Sequence, residues 1–98
     1  MKKILVVEDD AAIRGGLAEA LEREHYQVET AADGEEGFKK GKKKNINLII
    51  LDLMLPLMNG EEVCRSLRNE GINTPILILT SKKEETNKVL ALELGADD

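Results

Sequence analysis

The sequence contains no long hydrophobic run. Its longest apolar stretches lie near residues 4–7 and 48–51, and they are far shorter than the roughly 20 residues that a membrane-spanning helix needs. A secretory signal pattern is also missing, because the first apolar run meets a carboxylate at Glu8. We therefore expect a chain with no contact with the membrane.

Cysteine and histidine are scarce, and positively charged residues are outnumbered by negatively charged ones. The single cysteine, Cys64, excludes an internal disulfide and is typical of a reducing compartment, so we expect a cytoplasmic protein. The formal net charge of -5 argues against direct nucleic-acid binding by bulk electrostatics. A lysine-rich run at residues 39–44 is the local exception. We interpret it as a solvated helix end in preference to an anion-binding patch.

What the sequence does contain is a regular alternation of short apolar runs with amphipathic segments, over 98 residues that suit one domain. Strands are predicted near residues 4–7, 27–30, 48–51 and 76–79, because three of these runs are apolar on both faces. Helix starts are predicted at Asp10, Asp33, Asn59 and Ser81, and the last helix would contain Val89, Leu90, Leu92 and Leu94. The order βαβαβαβα predicts a parallel α/β sheet with helices on both faces.

Polar side chains follow three of these predicted strands at their carboxyl ends. Glu8 and Asp9 follow the first strand, Asp52 follows the third, and Thr80 follows the fourth. Active crevices of open parallel sheets lie at this edge, so we expect the side chains to converge. Crowded carboxylates favour a hard cation such as Mg²⁺, and a carboxylate beside Mg²⁺ and a hydroxyl suits an aspartyl-phosphate site.

The chain also resembles a known family. Five segments in order, at residues 6–10, 51–56, 59–60, 79–81 and 95–98, read VVEDD, LDLMLP, NG, LTS and GADD. They are similar to the receiver domain of bacterial two-component response regulators, a CheY-like domain, and in particular to the OmpR/PhoB-like kind that is joined to a winged-helix DNA-binding domain.

The resemblance implies a role for each matching residue. Asp52 would be the phosphoacceptor, and Glu8 and Asp9 the acidic pair that holds Mg²⁺, or Mn²⁺ in its place. Met54 would offer its backbone carbonyl to the metal, and Thr80 would be the switch hydroxyl. The phosphodonor would be a sensor histidine kinase that binds along the first helix near Ile13, Arg14 and Leu17.

The resemblance also implies a flavodoxin-like doubly wound sheet of order 2-1-3-4, lacking the fifth strand and fifth helix that complete the family's fold. We therefore expect residues 1–98 to be a C-terminally truncated receiver domain, without the family's phosphate-pairing lysine. The fourth strand would then be an exposed sheet edge. This predicts self-association through that edge, or through the face that the missing helix would cover.

Two alternatives remain open. One is an aspartate-nucleophile phosphatase, an enzyme class that favours a second Asp two residues after the nucleophile; Met54 at that position argues against turnover chemistry. The other is a non-signalling engineered fragment of a receiver domain, used for folding or assembly. The residues of the pocket do not distinguish such a fragment from a signalling domain, which would itself not be an enzyme.

Overall fold

The structure, a computed structural model, describes the backbone of residues 2–81 and 89–93 and the side chains of residues 2–79. Its elements, in chain order, are β1 (Lys3–Val7), α1 (Ala11–Arg23), β2 (Gln27–Ala31), α2 (Gly34–Gly41), β3 (Leu48–Asp52), α3 (Gly60–Asn69), β4 (Ile76–Ser81) and β5 (Val89–Glu93). The five strands form one sheet in the order β2-β1-β3-β4-β5.

The four parallel strands are arranged as the sequence predicts. β1 pairs with β2 on one side and with β3 on the other, and β3 pairs with β4, all in parallel. The order 2-1-3-4 and the flavodoxin-like, doubly wound fold class are therefore confirmed. The parallel fifth strand and the last helix of the complete family fold are not among the described residues.

The prediction of a final helix through Val89 and Leu92 is wrong for residues 89–93. These residues form β5, which runs antiparallel to β4 and pairs Val89 with Ser81 and Glu93 with Leu77. The apolar residues of this run suit either a helix or a short strand, and pairing with an open strand edge decides for the strand. The predicted helix cap at Ser81 is also wrong, because Ser81 is the last residue of β4.

β5 also changes the expectation for the sheet edge. β4 was predicted to expose unpaired backbone groups, but β5 pairs with it from Leu77 to Ser81. Edge pairing between the fourth strands of two chains is therefore not available in this arrangement. Within the described residues, β2 and β5 are the edge strands of the sheet.

The two faces of the sheet are covered unequally. One face carries the larger core, in which Leu5, Ile49 and Leu51 are fully buried beneath residues of α2 and α3. The other face carries Ile4 and Val6, with further apolar side chains packed against them from α1 and the strands: Leu17, Leu21, Val28, Leu48, Leu77 and Leu79. Of the described helices, only α1 covers this second face, and no residue of α1 is fully buried.

Helix starts follow local capping chemistry. Asp10 caps α1 by accepting the Ile13 N–H at 3.0 Å. Asn59 and Glu62 form the complete capping box predicted for α3. The box predicted for α2 is only half formed: Asp33 accepts the Glu36 N–H at 2.8 Å, but the Glu36 carboxylate accepts from Ala32 instead. α3 ends before Gly71, whose φ of 81° is the left-handed conformation that favours glycine.

Candidate functional site

Three carboxylates meet at the carboxyl edge of the two central strands. Glu8 and Asp9 directly follow β1, and Asp52 is the last residue of β3. The parallel register pairs Val7 with Leu51, so that Glu8 and Asp52 are the next residues along two adjacent strands. One oxygen from each of the three side chains lies within 4.8 Å of the other two. The convergence predicted for these three residues is therefore observed.

Glu8 is the buried member of this acidic cluster, with 7% of its surface exposed. Burial raises the pKa of Glu8 from its ordinary value of 4.5 to about 7, and the charges on Asp52 and Asp9 act in the same direction. A backbone hydrogen bond from the Asp10 N–H, at 3.0 Å, opposes this rise. Near neutral pH, Glu8 is thus divided between its protonated and ionised forms.

Asp52 is partly buried, and burial raises its pKa above the ordinary value of 3.8. The Met54 N–H, which donates to the Asp52 carboxylate at 3.3 Å, lowers this pKa, while the charge on Asp9 raises it. Asp9 is exposed. The cluster therefore combines one buried, one partly buried and one open carboxylate.

The donor set fits a hard divalent cation. Carboxylate oxygens are the ligands that Mg²⁺ takes from proteins, usually one or two at a time with water in the other positions. Three oxygens within 4.8 Å of one another, with one carboxylate open to solvent, meet that requirement. Burial is the main reason that the pKa values of Glu8 and Asp52 are raised, and the neighbouring carboxylates add to the rise. A bound cation would relieve the repulsion between these carboxylates.

The loop that follows β3, residues 53–59, forms the wall of the site. It is closed by a hydrogen bond from the Gly60 N–H to the Leu53 carbonyl, at 2.9 Å. A methyl group on Gly60 would lie only 2.5 Å from the Asp52 carbonyl oxygen, so only glycine allows this approach. An open cleft of about 600 Å³ lies between the loop and Asp9 of the acidic cluster, and it is lined by Asp9, Leu53, Met54, Leu55, Pro56, Asn59 and Glu61.

Leu57 gives this loop an unusual turn. The Met58 N–H donates to the Pro56 carbonyl at 2.7 Å, and Leu57 between them has a φ of 71°. This hydrogen bond and dihedral angle are those of a classic γ-turn, which is strained for a residue with a side chain. The Leu57 side chain is 72% exposed and that of Met54 is 79% exposed. The loop thus presents apolar side chains beside the acidic cluster.

Arg14 lies closer to the acidic residues than the sequence suggested. It was assigned to the kinase-facing surface of α1 together with Ile13 and Leu17. In the structure its guanidinium donates from Nη1 to the carbonyl oxygens of Glu8, at 2.8 Å, and Asp9, at 3.3 Å. The sequence offers one signal for this contact: Arg14 lies four residues after the helix cap, and that spacing brings its side chain back over the first turn of the helix.

The remaining predicted site residue, Thr80, lies within β4 and not after it. Its neighbour Leu79 pairs with Asp52 in the sheet. The side chains of Thr80 and Ser81, which would carry the hydroxyls, lie outside the described residues. Ile13 is 46% exposed, whereas Leu17 is packed against the apolar residues of the sheet.

The lysine-rich run has local partners. Lys40 donates to the Thr30 carbonyl at 2.6 Å and pairs with Glu36 at 3.1 Å. Lys43 pairs with Glu29 at 3.2 Å, and Lys42 lies 4.7 Å from the centre of the Phe38 ring. These contacts support the interpretation of the run as a helix end rather than an anion-binding patch.

Comparisons with known proteins point to one family. The response regulator receiver domain family matches residues 4–98. Alkaline phosphatase synthesis transcriptional regulatory protein PhoP of Bacillus subtilis is 55% identical over 97 residues, which cover 99% of this chain and 40% of that protein. Transcriptional regulatory protein ResD of the same organism is 50% identical over 96 residues, which cover 98% of this chain and 40% of ResD. The chain thus spans less than half the length of these relatives.

Solved structures show the same fold. The response regulator TrrA of Thermotoga maritima, in complex with Mg²⁺ and BeF, aligns with a TM-score of 0.78 and 39% identity, covering 90% of this chain and 76% of TrrA. The chemotaxis protein CheY4 of Vibrio cholerae aligns with a TM-score of 0.75 and 38% identity, covering 87% of this chain and 75% of CheY4.

A parallel sheet of order 2-1-3-4 with an acidic cluster at the end of its central strands defines a CheY-like signalling domain. The chain belongs to the response regulator receiver domain family of two-component systems, and its relatives PhoP and ResD are transcriptional regulatory proteins. Within the described residues, no helix has both the length and the apolar character that crossing a bilayer requires.

Proposed function

We propose that this chain accepts a phosphoryl group on Asp52, from a phosphohistidine of a sensor kinase, at a site that holds Mg²⁺. The observation that carries the proposal is the meeting of Glu8, Asp9 and Asp52 oxygens within 4.8 Å in a chain of the receiver family. TrrA, a relative with the same fold, is known in complex with Mg²⁺ and BeF.

In this proposal an Asp52 carboxylate oxygen attacks the phosphorus atom. A P–O bond forms, the P–N bond to the donor histidine breaks, and the imidazole leaves as the neutral ring after taking up a proton. Mg²⁺, when bound, neutralises charge on the transferred phosphoryl group. Asp9 and Asp52 would hold it directly, the Met54 carbonyl would complete the set on the protein side, and Glu8 would act chiefly through water.

The surroundings of Asp52 support its assignment as the nucleophile. Its carboxylate lies beside the exposed Asp9 and accepts a backbone hydrogen bond from Met54. Thr80 directly follows Leu79, the residue that pairs with Asp52, which supports a role for its hydroxyl as the switch group. Met54, two residues after Asp52, offers no acid for hydrolysis, so the domain would act as an acceptor and not as a turnover enzyme.

The test is phosphorylation by acetyl phosphate with Mg²⁺, followed by intact mass and peptide mapping. We expect one phosphoryl group on Asp52, none in Asp52→Asn, and none in the presence of EDTA. Asp33→Asn is the matched control, because Asn caps α2 about as well as Asp and Asp33 is not one of the three clustered carboxylates. An adduct that survives Asp52→Asn would refute the assignment, and no adduct in the wild type would favour the non-signalling fragment.

The proposed partner is a sensor histidine kinase, which would contact α1 around the exposed Ile13. The negative net charge supports the absence of direct nucleic-acid binding by this domain, and a cytoplasmic location suits the proposed partner. Self-association remains a prediction. Because β5 pairs with β4, it would use the face of the sheet that α1 covers, alone among the described helices. Sedimentation equilibrium over a range of concentrations tests it, and a strict monomer would refute it.

A further inference from the structure

Arg14 is the one cation among the described residues that contacts the main chain of both acidic residues after β1. Its Nη1 atom donates to the Glu8 carbonyl at 2.8 Å and to the Asp9 carbonyl at 3.3 Å. The side chain is only partly exposed, and it reaches these carbonyls from the first turn of α1. The sequence predicts that Arg14 contacts a kinase, but its guanidinium is instead hydrogen-bonded to carbonyls of its own chain.

The segment that Arg14 binds is short, and its other hydrogen bonds are made by Asp10, which caps α1, and by the Glu8 N–H and carboxylate. Three residues, 8–10, connect β1 to α1. The Glu8 N–H donates to the Ala31 carbonyl at 3.0 Å, and the Asp10 N–H donates to the Glu8 carboxylate at 3.0 Å. Neither bond involves the Glu8 or Asp9 carbonyl, so Arg14 supplies the side-chain contact to both of them. Fixing two successive carbonyls fixes the peptide planes, and with them the directions in which the Glu8 and Asp9 side chains leave the chain.

The guanidinium also suits the electrostatics of this edge. It is always charged and planar, and less strongly hydrated than an ammonium group, so it can hold two acceptors without a large desolvation cost. It brings a positive charge close to a cluster of three carboxylates without binding their oxygens, which stay available to a cation. Contacts of this kind, one step removed from the ligands, orient metal ligands in many proteins.

We propose that Arg14 is a positioning residue, which holds Glu8 and Asp9 in the orientation that binds the divalent cation. This inference rests on the proposed metal site. It predicts that loss of the guanidinium weakens Mg²⁺ binding and Asp52 labelling even when no kinase is present. A side chain that served only to contact a kinase would have no effect on either measurement.

The experiment compares Arg14→Gln and Arg14→Lys with the wild type by calorimetric titration with Mg²⁺. We expect Arg14→Gln to bind Mg²⁺ about 10-fold more weakly, and Arg14→Lys to recover part of the loss because it keeps a charged donor. Arg23→Gln is the matched control: it makes the same change on the same helix, at a side chain that is 75% exposed and 3.9 Å from Glu19. It should bind Mg²⁺ like the wild type.

Two further measurements separate positioning from a loss of folding and from failure of the metal site. Thermal unfolding in EDTA identifies the variants that remain folded, and unchanged Mg²⁺ affinity in a folded Arg14→Gln would overturn the proposal. Amide order parameters of residues 8–10 in EDTA need no metal; we expect them to fall in Arg14→Gln, and unchanged values would also overturn it. A wild-type chain that does not bind Mg²⁺ would overturn the proposed function, and the order parameters would then decide the role of Arg14.

Discussion

The first residue of α2, Gly34, lies directly against the main chain of Met58 in the loop that follows β3. A methyl group placed on Gly34 would overlap the Met58 carbonyl oxygen, and the Gly34 N–H donates to the Pro56 carbonyl at 3.3 Å. The start of α2 is thus packed against the same loop that borders the acidic cluster. Because Gly34 has no side chain, two segments that are far apart in sequence can pack this closely.

Gly34→Ala should destabilise the protein by about 1–3 kcal/mol, because the backbone of the loop or of α2 must move to make room. Urea denaturation measures the change. Gly16→Ala is the control, since Gly16 lies inside α1 with open space around it; it should stabilise the protein by roughly 0.5–1 kcal/mol. Equal effects of the two substitutions would contradict the contact.

Between pH 5 and pH 8, the stability of the metal-free protein should fall as the pH rises. Burial and two neighbouring carboxylates raise the pKa of Glu8 from 4.5 to about 7, so the folded state holds this proton more tightly than the unfolded state. The contribution of Glu8 is then fully present below pH 4.5, declines between pH 4.5 and 7, and is lost above that range. The full effect corresponds to roughly 3 kcal/mol.

Urea denaturation in EDTA at pH 5 and pH 8 checks this dependence. Glu8→Gln should remove most of the difference between the two pH values, because an amide does not titrate. Glu19→Gln, at an α1 side chain that is 71% exposed, should keep it. A wild-type protein that is more stable at pH 8 than at pH 5 without metal would show that the Glu8 assignment is wrong.

Mg²⁺ should stabilise the protein more at pH 8 than at pH 5, because protons compete with the cation for Glu8 and Asp52, whose pKa values are raised. The shift in unfolding temperature at a fixed Mg²⁺ concentration measures this difference. Asp9→Ala should abolish it by removing the open carboxylate of the cluster. An Asp9→Ala variant with the wild-type response to Mg²⁺ would exclude Asp9 as a ligand.

Leu57→Gly should stabilise the protein by about 1 kcal/mol, since glycine adopts the left-handed conformation of this residue without steric cost. Little burial is lost, because the leucine side chain is 72% exposed. Met54→Gly is the comparison within the same loop. Met54 has an ordinary φ and an exposed side chain, so the added chain flexibility should destabilise the protein. Chemical denaturation that ranks the two variants in the opposite order would exclude strain at Leu57.

Much of the fold could be predicted because its signals are local. Buried parallel strands read as short apolar runs, and β1, β3 and β4 all lie where such runs predicted them. Caps at Asp10 and Asn59 depend on residues only three positions apart. The acidic cluster followed from topology alone, because the carboxyl ends of parallel strands meet at one edge of the sheet.

The features that could not be predicted depend on contacts between distant parts of the chain. Val89 to Glu93 becomes a strand because β4 offers a partner, a preference that no local pattern records. The contact of Gly34 with Met58 joins residues in different helix–loop units, and the hydrogen bonds of Arg14 depend on how α1 leaves the sheet. The spacing of residues along the sequence does not indicate which distant parts of the chain come into contact.

The acidic cluster extends from β1 and β3, two of the three interior strands of the described sheet, and this has a consequence for local opening. Amide hydrogen exchange should be slowest in β1 and β3, where Leu5, Ile49 and Leu51 are completely buried, and faster in the edge strands. Fraying of the edges then leaves Glu8 and Asp52 in place. The strand ends that carry Glu8 and Asp52 should therefore keep their positions when the edge strands open locally.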